Sequence, residues 1–456
     1  MIKDKFRNAI DQHPDRLFLI SPSGVWTYAE FYQYICQVAQ TLDQLAPGRI
    51  ACHLPDSPRL IGLMFATDLC GRSLVLFNHD YSPQQIEPLL QQADAAVLIT
   101  DNAEISCPGC QILSPGTLDK PPQEAGSTKP PQPPGQSEIL ILTSGTTGQA
   151  KCARYSWSRL FAQVSGNLAT ADERWLLAYR LNHFAGVQML IHVLNNCSTL
   201  VLPRSNRVAD AIKAMTEHHV THVSSTPTFW RYALTLLQDN RDRISLQHIT
   251  LGSEAASADL LDKLHTLFPT ARIVQIYAST EAGSCISISD MQPGLPLSVL
   301  SRPESAAVRF RIVEGELYIR STNGMSGYLG TGTDTNAEDI QWRASGDLVR
   351  VENDRIFFVG RKNETINVGG VKVHPLDVEN IISPLDGVKV VKAYGLANPI
   401  VGQIVAVDVV CHETAEATEV EAEIRQACKA LPRASRPRSI NFVDTILTNN
   451  YKLSRR

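Results

Sequence analysis

The residues of this chain that are best suited to chemistry lie in one loop, Thr143–Lys151. The loop follows an apolar run, Ile139–Leu142, which is typical of a buried strand. Its glycines let backbone N–H groups turn towards one anion, its hydroxyls add donors, and Lys151 adds a mobile positive charge. The pattern favours a polyphosphate ligand, with a polar turn after a strand as the alternative, and it lacks the Walker A spacing. The candidate phosphate-binding residues are Thr143, Ser144, Gly145, Thr146, Thr147, Gly148 and Lys151.

Four further short segments follow this loop along the chain. They are Tyr277-Ala278-Ser279-Thr280-Glu281, Ser345-Gly346-Asp347, Gly360-Arg361-Lys362-Asn363 and Thr448 to Lys452. Each segment is weak evidence by itself, but five in order at sensible separations argue against a chance match. Together they resemble the adenylate-forming superfamily, which includes acyl- and aryl-CoA synthetases, peptide-synthetase adenylation domains and firefly luciferase. The resemblance spans nearly the whole chain.

The resemblance implies which residues would bind ATP and Mg²⁺. Thr280 would donate to the α-phosphate, and Glu281 would hold Mg²⁺ through hard oxygen ligands, with a solvated loop charge as the alternative for Glu281. Asp347 would accept hydrogen bonds from both ribose hydroxyls. Arg361 would assist at the ribose or phosphate, or would form an ordinary ion pair between domains. The remaining candidates are Gly252, Ser253 and Glu254 of the adenine loop, and Tyr277, Ala278 and Ser279.

The resemblance also implies a catalytic lysine, Lys452, on a small mobile domain. Its ammonium would stabilise charge as a carboxylate attacks the α-phosphorus, and a solvated lysine in a loose tail is the alternative. The small domain would pivot at Asn363, where the family commonly has Asp or Lys. Gly369-Gly370 would line the channel for a pantetheine arm. Two departures from the family pattern lie nearby, because Lys372 replaces the usual arginine and Tyr451 replaces a glycine.

By position in the family, three mostly apolar segments would form the acid-binding pocket. They contribute Asn182, His183, Phe184, Ala185 and Gly186, then Ser225, Thr226 and Phe229, and finally Gly283. Residues 182–188 contain no Asp or Glu, so an α-amino acid is disfavoured because its buried ammonium would lack a partner. An aryl, fatty or other plain carboxylic acid fits better. His183 resembles the aromatic gate between the acid and thiol sites, and a satisfied core histidine is the alternative.

The elements that must position these residues indicate an α/β protein with two domains. Between Leu60 and Asp101, helix-like runs alternate with short strand-like runs, as in a parallel sheet covered by helices. A Pro-, Gly- and Ser-rich stretch, Cys107–Glu138, is expected to be a surface excursion or linker. We predict a large N-terminal ATP- and acid-binding domain of several subdomains, residues 1–360. A small mobile α+β C-terminal domain, residues 361–456, would follow and carry the catalytic lysine.

Composition excludes several functional classes. The 456 residues carry a formal net charge of -4 and show no basic stripe, so a nucleic-acid partner is not expected. No apolar run approaches the roughly 20 residues that a bilayer crossing requires, and the first residues lack the apolar core of a secretory signal. Most of the ten cysteines lie in apolar runs, which favours a reducing cytoplasm. The Cys107–Cys110 pair lacks the further ligands that a zinc site needs.

The sequence therefore predicts an AMP-forming acid:thiol ligase. A small carboxylic acid and MgATP would give acyl-AMP and pyrophosphate, and the thiol of CoA would then take the acyl group as a thioester. One alternative delivers the acyl group to the phosphopantetheine of an acyl carrier protein. Another is a noncatalytic nucleotide-binding descendant, which the changes at Asn363, Lys372 and Tyr451 motivate. The 142 residues before Thr143 form a short first subdomain that resembles that of small aryl- or succinylbenzoyl-type CoA ligases.

Overall fold

The protein is represented by a computed structural model. It describes residues 1–119, 137–144, 150–166, 172–237, 243–330, 341–413, 415–446, 448–449 and 452–453. Four predicted phosphate-loop residues, Gly145, Thr146, Thr147 and Gly148, lie outside the described residues, as does Tyr451. Within the described part of the chain, no helix is long and apolar enough to cross a membrane.

The described α-helices are numbered here in chain order. They are α1 Ile2–Gln12, α2 Tyr28–Asp43, α3 Pro58–Leu69, α4 Pro83–Ala93, α5 Trp157–Phe161, α6 Phe184–Asn195, α7 Val208–Glu217, α8 Pro227–Leu237, α9 Ala258–Leu267, α10 Pro375–Ile382 and α11 Ala417–Ala427. Short 3-10 turns cover Pro115–Asp119, Leu297–Ser301, Lys362–Glu364, Cys428–Ala430 and Arg433–Ser435. Helix starts follow local chemistry: Thr27 and Glu30 form a capping box at α2, and Ser57 caps α3 just before Pro58.

The strands are numbered in the same way. They are β1 Leu17–Ser21, β2 Gly24–Thr27, β3 Arg49–His53, β4 Leu74–Leu76, β5 Ala95–Thr100, β6 Gln111–Leu113, β7 Glu138–Ser144, β8 Ala150–Ser156, β9 Arg174–Leu177, β10 Thr199–Val201, β11 His222–Ser225, β12 His248–Gly252, β13 Arg272–Ser279, β14 Gly283–Ile288, β15 Leu295–Pro296, β16 Val308–Val313, β17 Glu316–Ser321, β18 Gly327–Tyr328, β19 Arg343–Glu352, β20 Arg355–Arg361, β21 Ile366–Val368, β22 Val371–Val373, β23 Val388–Asn398, β24 Gly402–Cys411, β25 Ser439–Phe442, β26 Thr448–Asn449 and β27 Lys452–Leu453.

The chain divides into two compact units, each built from several segments. Unit 1 comprises Met1–Ser224, Ala278–Cys285 and Thr322–Ile340, and unit 2 comprises Ser225–Tyr277, Ile286–Ser321 and Gln341–Arg456. These two units are defined by how compactly their residues pack and not by mobility. The predicted division at residue 360 into a large domain and a mobile domain therefore remains a prediction.

Unit 1 contains a seven-stranded sheet in the order β18-β8-β7-β4-β3-β5-β6. The strands β3, β4, β5 and β7 run parallel, and their apolar side chains are buried, as expected for a sheet covered by helices. The hairpin β7–β8 is antiparallel. The stretch that we predicted to be a surface excursion contributes β6 as an edge strand parallel to β5. An edge strand pairs with a neighbour on one side only and is less buried than a central strand, so the low apolar content of this stretch suits the edge position.

Unit 1 also contains the strand order β11-β9-β10-β1-β2, in which only β1 and β2 pair antiparallel. An aromatic cluster beside it joins the first helix to this sheet. The rings of Phe6 and Phe18 lie 5.3 Å apart, and those of Phe18 and Phe31 lie 4.8 Å apart. Such pairs add to the free energy gained by burying their area.

Unit 2 contains the parallel pair β12–β13 and two further sheets. One is antiparallel, in the order β15-β20-β19-β17-β16, and it places Asp347 opposite Arg361. The other has the order β22-β21-β24-β23, with β25 parallel to β24. Residues 366–442 surround this second sheet with a hydrophobic cluster of their own. The predicted α/β class, with parallel sheets and a smaller α+β element, is confirmed.

Candidate active site

The β7–β8 hairpin holds the two ends of the predicted phosphate loop. Thr143 lies directly opposite Lys151, and Ser144 lies opposite Ala150. The Thr143 hydroxyl is buried and has no hydrogen-bond partner among the described residues. A buried hydroxyl at the entrance of a loop of this composition is a ready donor for an anion.

Tyr328 connects the phosphate hairpin with the predicted magnesium ligand. The Lys151 ammonium lies over the Tyr328 ring, 5.3 Å from its centroid. The hydroxyl of the same tyrosine donates to Glu281 Oε1 at 3.0 Å. Tyr328 stands on β18, which pairs with β8. One side chain therefore holds a cation and a carboxylate, both predicted from sequence, in the same part of unit 1.

The turn that carries Thr280 and Glu281 is fixed by contacts within unit 1. Tyr155 donates its hydroxyl to the carbonyl oxygen of Thr280 at 2.8 Å, and the Ala282 N–H donates to Ser279 Oγ at 3.0 Å. Gly283 has a φ of +75°, and a Cβ there would lie 2.5 Å from a backbone oxygen. Only glycine fits this position without displacing the neighbouring backbone.

In unit 2, Asp347 is the centre of a second cluster. It is 9% exposed. Its Oδ1 pairs with Arg361 Nε at 2.8 Å, and its Oδ2 accepts from the Tyr277 hydroxyl at 2.6 Å. Arg361 also donates to the Ser345 carbonyl at 3.1 Å. The ion pair that we considered as the alternative role of Arg361 is therefore present, although it joins neighbouring strands within one unit.

Glu316 supports the same cluster from β17. It is 5% exposed, and its Oε1 accepts from the Gly346 N–H at 3.1 Å. Its Oε2 accepts from Lys362 Nζ at 2.9 Å, and this contact raises the pKa of the Lys362 ammonium. Asn363, the predicted pivot, is exposed in the 3-10 turn that follows.

The predicted adenine loop follows β12. Ser253 takes a φ of +68°, which is uncommon for a residue with a side chain. Glu254 Oε2 accepts from the Thr228 N–H, 3.0 Å away, at the start of α8. This contact is a favourable charge–helix interaction, because the first N–H groups of a helix lack partners within it.

The first predicted acid-binding segment begins α6 in unit 1. His183 precedes the helix, and its N–H donates to the Arg180 carbonyl at 3.1 Å. Asn182 and Phe184 are buried, and the Phe184 ring lies 5.3 Å from that of Tyr155. A Cβ on Gly186 would come within 2.1 Å of the Arg180 carbonyl oxygen, so this glycine permits the helix to begin so close to the preceding turn.

The second predicted acid-binding segment lies in unit 2, at the end of β11 and the start of α8. Ser225, Thr226 and Phe229 are each 0% exposed. Thr226 accepts from the Phe229 N–H at 3.0 Å and so caps the helix. These residues therefore lie in the interior of unit 2, and their contact with an acid remains a prediction.

The predicted thiol hairpin joins β21 to β22. Gly369 and Gly370 have φ values of +58° and +89°, and the space where a Cβ of Gly370 would stand is open. Lys372 is exposed on β22. The backbone of Lys452 lies in β27, paired with Asn449 of β26, while its side chain lies outside the described part.

No group of three or more His, Cys, Asp or Glu residues that could hold a metal ion occurs in the part of the chain that the structure describes. A single carboxylate such as Glu281 is nevertheless a fitting ligand for Mg²⁺, which keeps several waters and takes other oxygens from substrate phosphates.

Among the contacting residues that the sequence did not predict are Tyr328, Glu316 and Lys362. Tyr328 lies 47 residues after Glu281 on a two-residue strand, which is too short for a periodic signal. Lys362 falls inside a predicted segment, but its ion pair with Glu316 depends on the pairing of distant strands. No local pattern marks either contact.

A family model described as AMP-binding enzyme matches residues 6–329. The chain belongs to the AMP-binding enzyme family. The match covers most of the chain and includes the phosphate hairpin, Glu281 and Tyr328. The family predicted from the five motifs is thus confirmed.

Two curated relatives of this AMP-binding enzyme are named for aryl acids. It is 26% identical to the 2-succinylbenzoate–CoA ligase of Bacillus pumilus over 462 residues, which are 96% of this chain and 93% of the relative. It is 28% identical to a feruloyl-CoA synthase of Amycolatopsis over 411 residues, covering 83% and 82% of the two chains.

Two solved structures share the fold of this AMP-binding enzyme. The anthranilate CoA ligase AuaEII, in complex with anthranoyl-AMP, gives a TM-score of 0.80 at 18% identity and covers 99% of this chain and 95% of its own. The o-succinylbenzoate CoA synthetase of Bacillus subtilis, in complex with ATP and a magnesium ion, gives 0.74 at 22% identity and covers 99% and 98%.

Proposed function

We propose that the protein is an AMP-forming acid–CoA ligase. In the first step a substrate carboxylate oxygen attacks the α-phosphorus of ATP, which forms acyl-AMP and releases pyrophosphate. In the second step the CoA sulfur attacks the acyl carbonyl, which forms the thioester and releases AMP and a proton. Family membership and the names of the curated relatives support this reaction.

The observation that carries the proposal is the arrangement of Lys151, Tyr328 and Glu281. A cation at the end of the phosphate hairpin and a carboxylate from the Thr280–Glu281 turn share one tyrosine. A polyphosphate needs positive charge for its oxygens, and its metal ion needs a carboxylate nearby. The tyrosine fixes both groups before ATP binds, which lowers the cost of ordering them.

Glu281 is the residue proposed to hold Mg²⁺. The ion would neutralise charge on the departing pyrophosphate and orient the phosphates. A carboxylate held at one oxygen by a tyrosine keeps its other oxygen for this role. The complex of the Bacillus subtilis synthetase with ATP and a magnesium ion supports MgATP as the nucleotide substrate.

Asp347, Tyr277 and Arg361 are proposed to bind the ribose side of the nucleotide. Asp347 is held by two partners, so its carboxylate is oriented before it accepts the ribose hydroxyls. Residues 1–360 would bind ATP and acid, while residues 361–456 would supply Lys452 and the Gly369-Gly370 hairpin. The separate hydrophobic cluster of residues 366–442 supports this division.

For the acid, an aryl or other plain carboxylic acid is proposed, as the relatives named for aryl acids and the apolar first segment suggest. Free CoA is the proposed acceptor, because the curated relatives are named as CoA enzymes. The phosphopantetheine of a carrier protein is the competing acceptor. A cytoplasmic location fits the ten cysteines, all of which are free thiols.

The test is pyrophosphate release across benzoic, cinnamic, short, medium-chain and dicarboxylic acids. Each acid is assayed without thiol, with CoA and with a phosphopantetheinylated carrier protein. Release that requires an acid and turns over repeatedly with CoA is the expected result. Repeated turnover with the carrier protein but not with CoA would identify the phosphopantetheine of the carrier, instead of CoA, as the acceptor. A folded, ATP-binding protein that releases no pyrophosphate with any acid would contradict the proposal.

A further inference from the structure

The loop between β3 and α3 reaches the turn that leads into the predicted acid-binding segment. Asp56 lies in this loop, and its Oδ1 accepts from the Leu181 N–H at 2.9 Å. Leu181 belongs to the turn Arg180–His183, in which the His183 N–H donates to the Arg180 carbonyl at 3.1 Å. The carboxylate of a distant loop therefore holds the backbone immediately before Asn182 and His183.

The turn has little room to move on its other side. A Cβ on Gly186 would lie 2.1 Å from the Arg180 carbonyl oxygen, so the first turn of α6 packs directly against it. Arg180 pairs with Asp80 at 2.9 Å, which anchors the side chain at the start of the turn to the loop after β4. A shift of the Leu181 backbone would therefore change where His183 and Asn182 point.

A small pocket of about 60 Å³ is lined by both Asp56 and Asn182, together with His79, Asp80 and Arg180. Most of the side chains that line it are polar, although Leu54 and Pro55 also contribute, and its volume suits bound water better than a substrate. Asp56 thus shares a pocket with Asn182, a predicted acid-binding residue, although Asp56 is not one of the predicted catalytic residues.

We propose that Asp56 is a positioning residue for acid binding, which holds the Arg180–His183 turn through Leu181 and so fixes Asn182 and His183. The role rests on the proposed ligase function. The ionised Asp56 carboxylate is a stronger acceptor than a neutral group. The Leu181 N–H lies in a partly buried site, where the loss of its hydrogen bond would be costly.

The charge of Asp56 gives this role a pH dependence. Burial raises the pKa of the Asp56 carboxyl to about 6, against the opposing effects of the Leu181 N–H, Arg180 and His79, while Asp80 raises it further. Above this pH the carboxylate makes a charge-assisted hydrogen bond, and below it a neutral carboxyl makes a weaker one. The KM for the acid should therefore rise as the pH falls through about 6.

The test compares three variants by acid-dependent pyrophosphate release without thiol. Asp56→Leu removes the acceptor and should raise the KM for the acid roughly ten-fold, with the KM for ATP unchanged. Asp56→Asn keeps a neutral acceptor, so it should raise that KM by less and abolish its change near pH 6. Asp94→Asn, at an exposed pair with Arg49 away from this turn, is the control and should behave like the wild type.

A second readout does not depend on activity. Hydrogen exchange at the Leu181 amide should accelerate in Asp56→Leu, while Asp56→Asn should retain most of the protection. Wild-type KM for the acid in Asp56→Leu, together with an unchanged Leu181 exchange rate, would overturn the proposal. If the wild type itself releases no pyrophosphate with any acid, the ligase function fails, and the exchange experiment still decides whether Asp56 holds Leu181.

Discussion

At the scale of single residues, Tyr328 is the side chain that contacts both Lys151 of the phosphate hairpin and the predicted metal ligand Glu281. The motifs predicted Lys151 and Glu281 separately, because glycine, hydroxyl and acidic residues at fixed spacing are visible in a sequence. The tyrosine between them was not predictable, because it belongs to a two-residue strand whose place depends on pairing with β8. Short strands of this kind carry no periodic signal of their own.

The substitution Glu281→Gln should raise the Mg²⁺ concentration needed for half-maximal pyrophosphate release by roughly ten-fold. The amide retains an oxygen for the Tyr328 hydroxyl but loses the negative charge that favours the metal ion. A magnesium titration at fixed ATP and acid measures this change. Tyr328→Phe is the matched control, and its effect should be smaller because the carboxylate remains. An unchanged magnesium requirement in Glu281→Gln would remove Glu281 from the metal site.

The substitution Lys452→Ala should lower the rate of acyl-adenylate formation by about 100-fold or more, with ATP binding largely kept. The lysine is proposed to stabilise charge at the α-phosphate during attack rather than to bind ATP in the ground state. Single-turnover pyrophosphate release and calorimetric ATP binding separate the two effects. Lys429→Ala removes an exposed lysine elsewhere in residues 361–456 and should have no effect. Equal rates in both variants would show that Lys452 is a solvated tail residue.

The carboxylate of Glu173 should make stability depend on pH. Burial acts to raise its pKa, but hydrogen bonds from His222 and Trp175 outweigh burial and lower the pKa to about 2. Because the folded-state pKa is lower than the usual 4.5, the stabilisation is present above pH 4.5 and is lost as the pH falls towards 2. Glu173→Gln should therefore cost about 2 kcal/mol at pH 7 and roughly two fifths of that at pH 3.

Urea unfolding of Glu173→Gln and the wild type at both pH values measures this difference. Glu217→Gln, at an exposed pair with Lys213, is the control and should change stability by less than about 0.5 kcal/mol. A destabilisation of Glu173→Gln that stays the same from pH 7 to pH 3 would show that lost packing, rather than charge, is its cause.

At the scale of elements, the strands were largely predictable because buried apolar runs mark them. The predicted strand-like run Ile139–Leu142 lies within β7. Strand pairing was not predictable, and it decides the second cluster: Asp347 faces Arg361 only because β19 and β20 are antiparallel in one register. A shift by one residue would turn Asp347 to the other face of the sheet.

The turn between β13 and β14 should tolerate no side chain at Gly283. Gly283→Ala should cost about 3 kcal/mol or more, because φ is +75° and the new Cβ would lie 2.5 Å from the Asn323 carbonyl oxygen. Gly330→Ala, at a φ of +81° with open space around it, should cost only about 1 kcal/mol. Chemical denaturation of both variants gives the comparison. Equal losses would mean that backbone conformation, and not close approach, explains Gly283.

At the scale of the whole molecule, the order of five motifs predicted both the family and the fold class, and both are confirmed. The predicted ligase reaction agrees with the names of the curated relatives. The composition of the two units was not predictable, because residues 225–277 and 286–321 join unit 2 while residues 278–285 join unit 1. Local patterns report strands and helices, whereas this exchange of segments depends on contacts between distant parts of the chain.

The most direct test of the account is exchange of labelled pyrophosphate into ATP in the absence of any thiol. Reversible formation of an acyl-adenylate predicts exchange that requires both Mg²⁺ and an acid, and that disappears in Lys452→Ala. Addition of CoA should then convert the acid that supports exchange into a thioester, with one AMP released for each thioester formed. Exchange without an acid, or no exchange with any acid in a folded protein that binds ATP, would contradict the account.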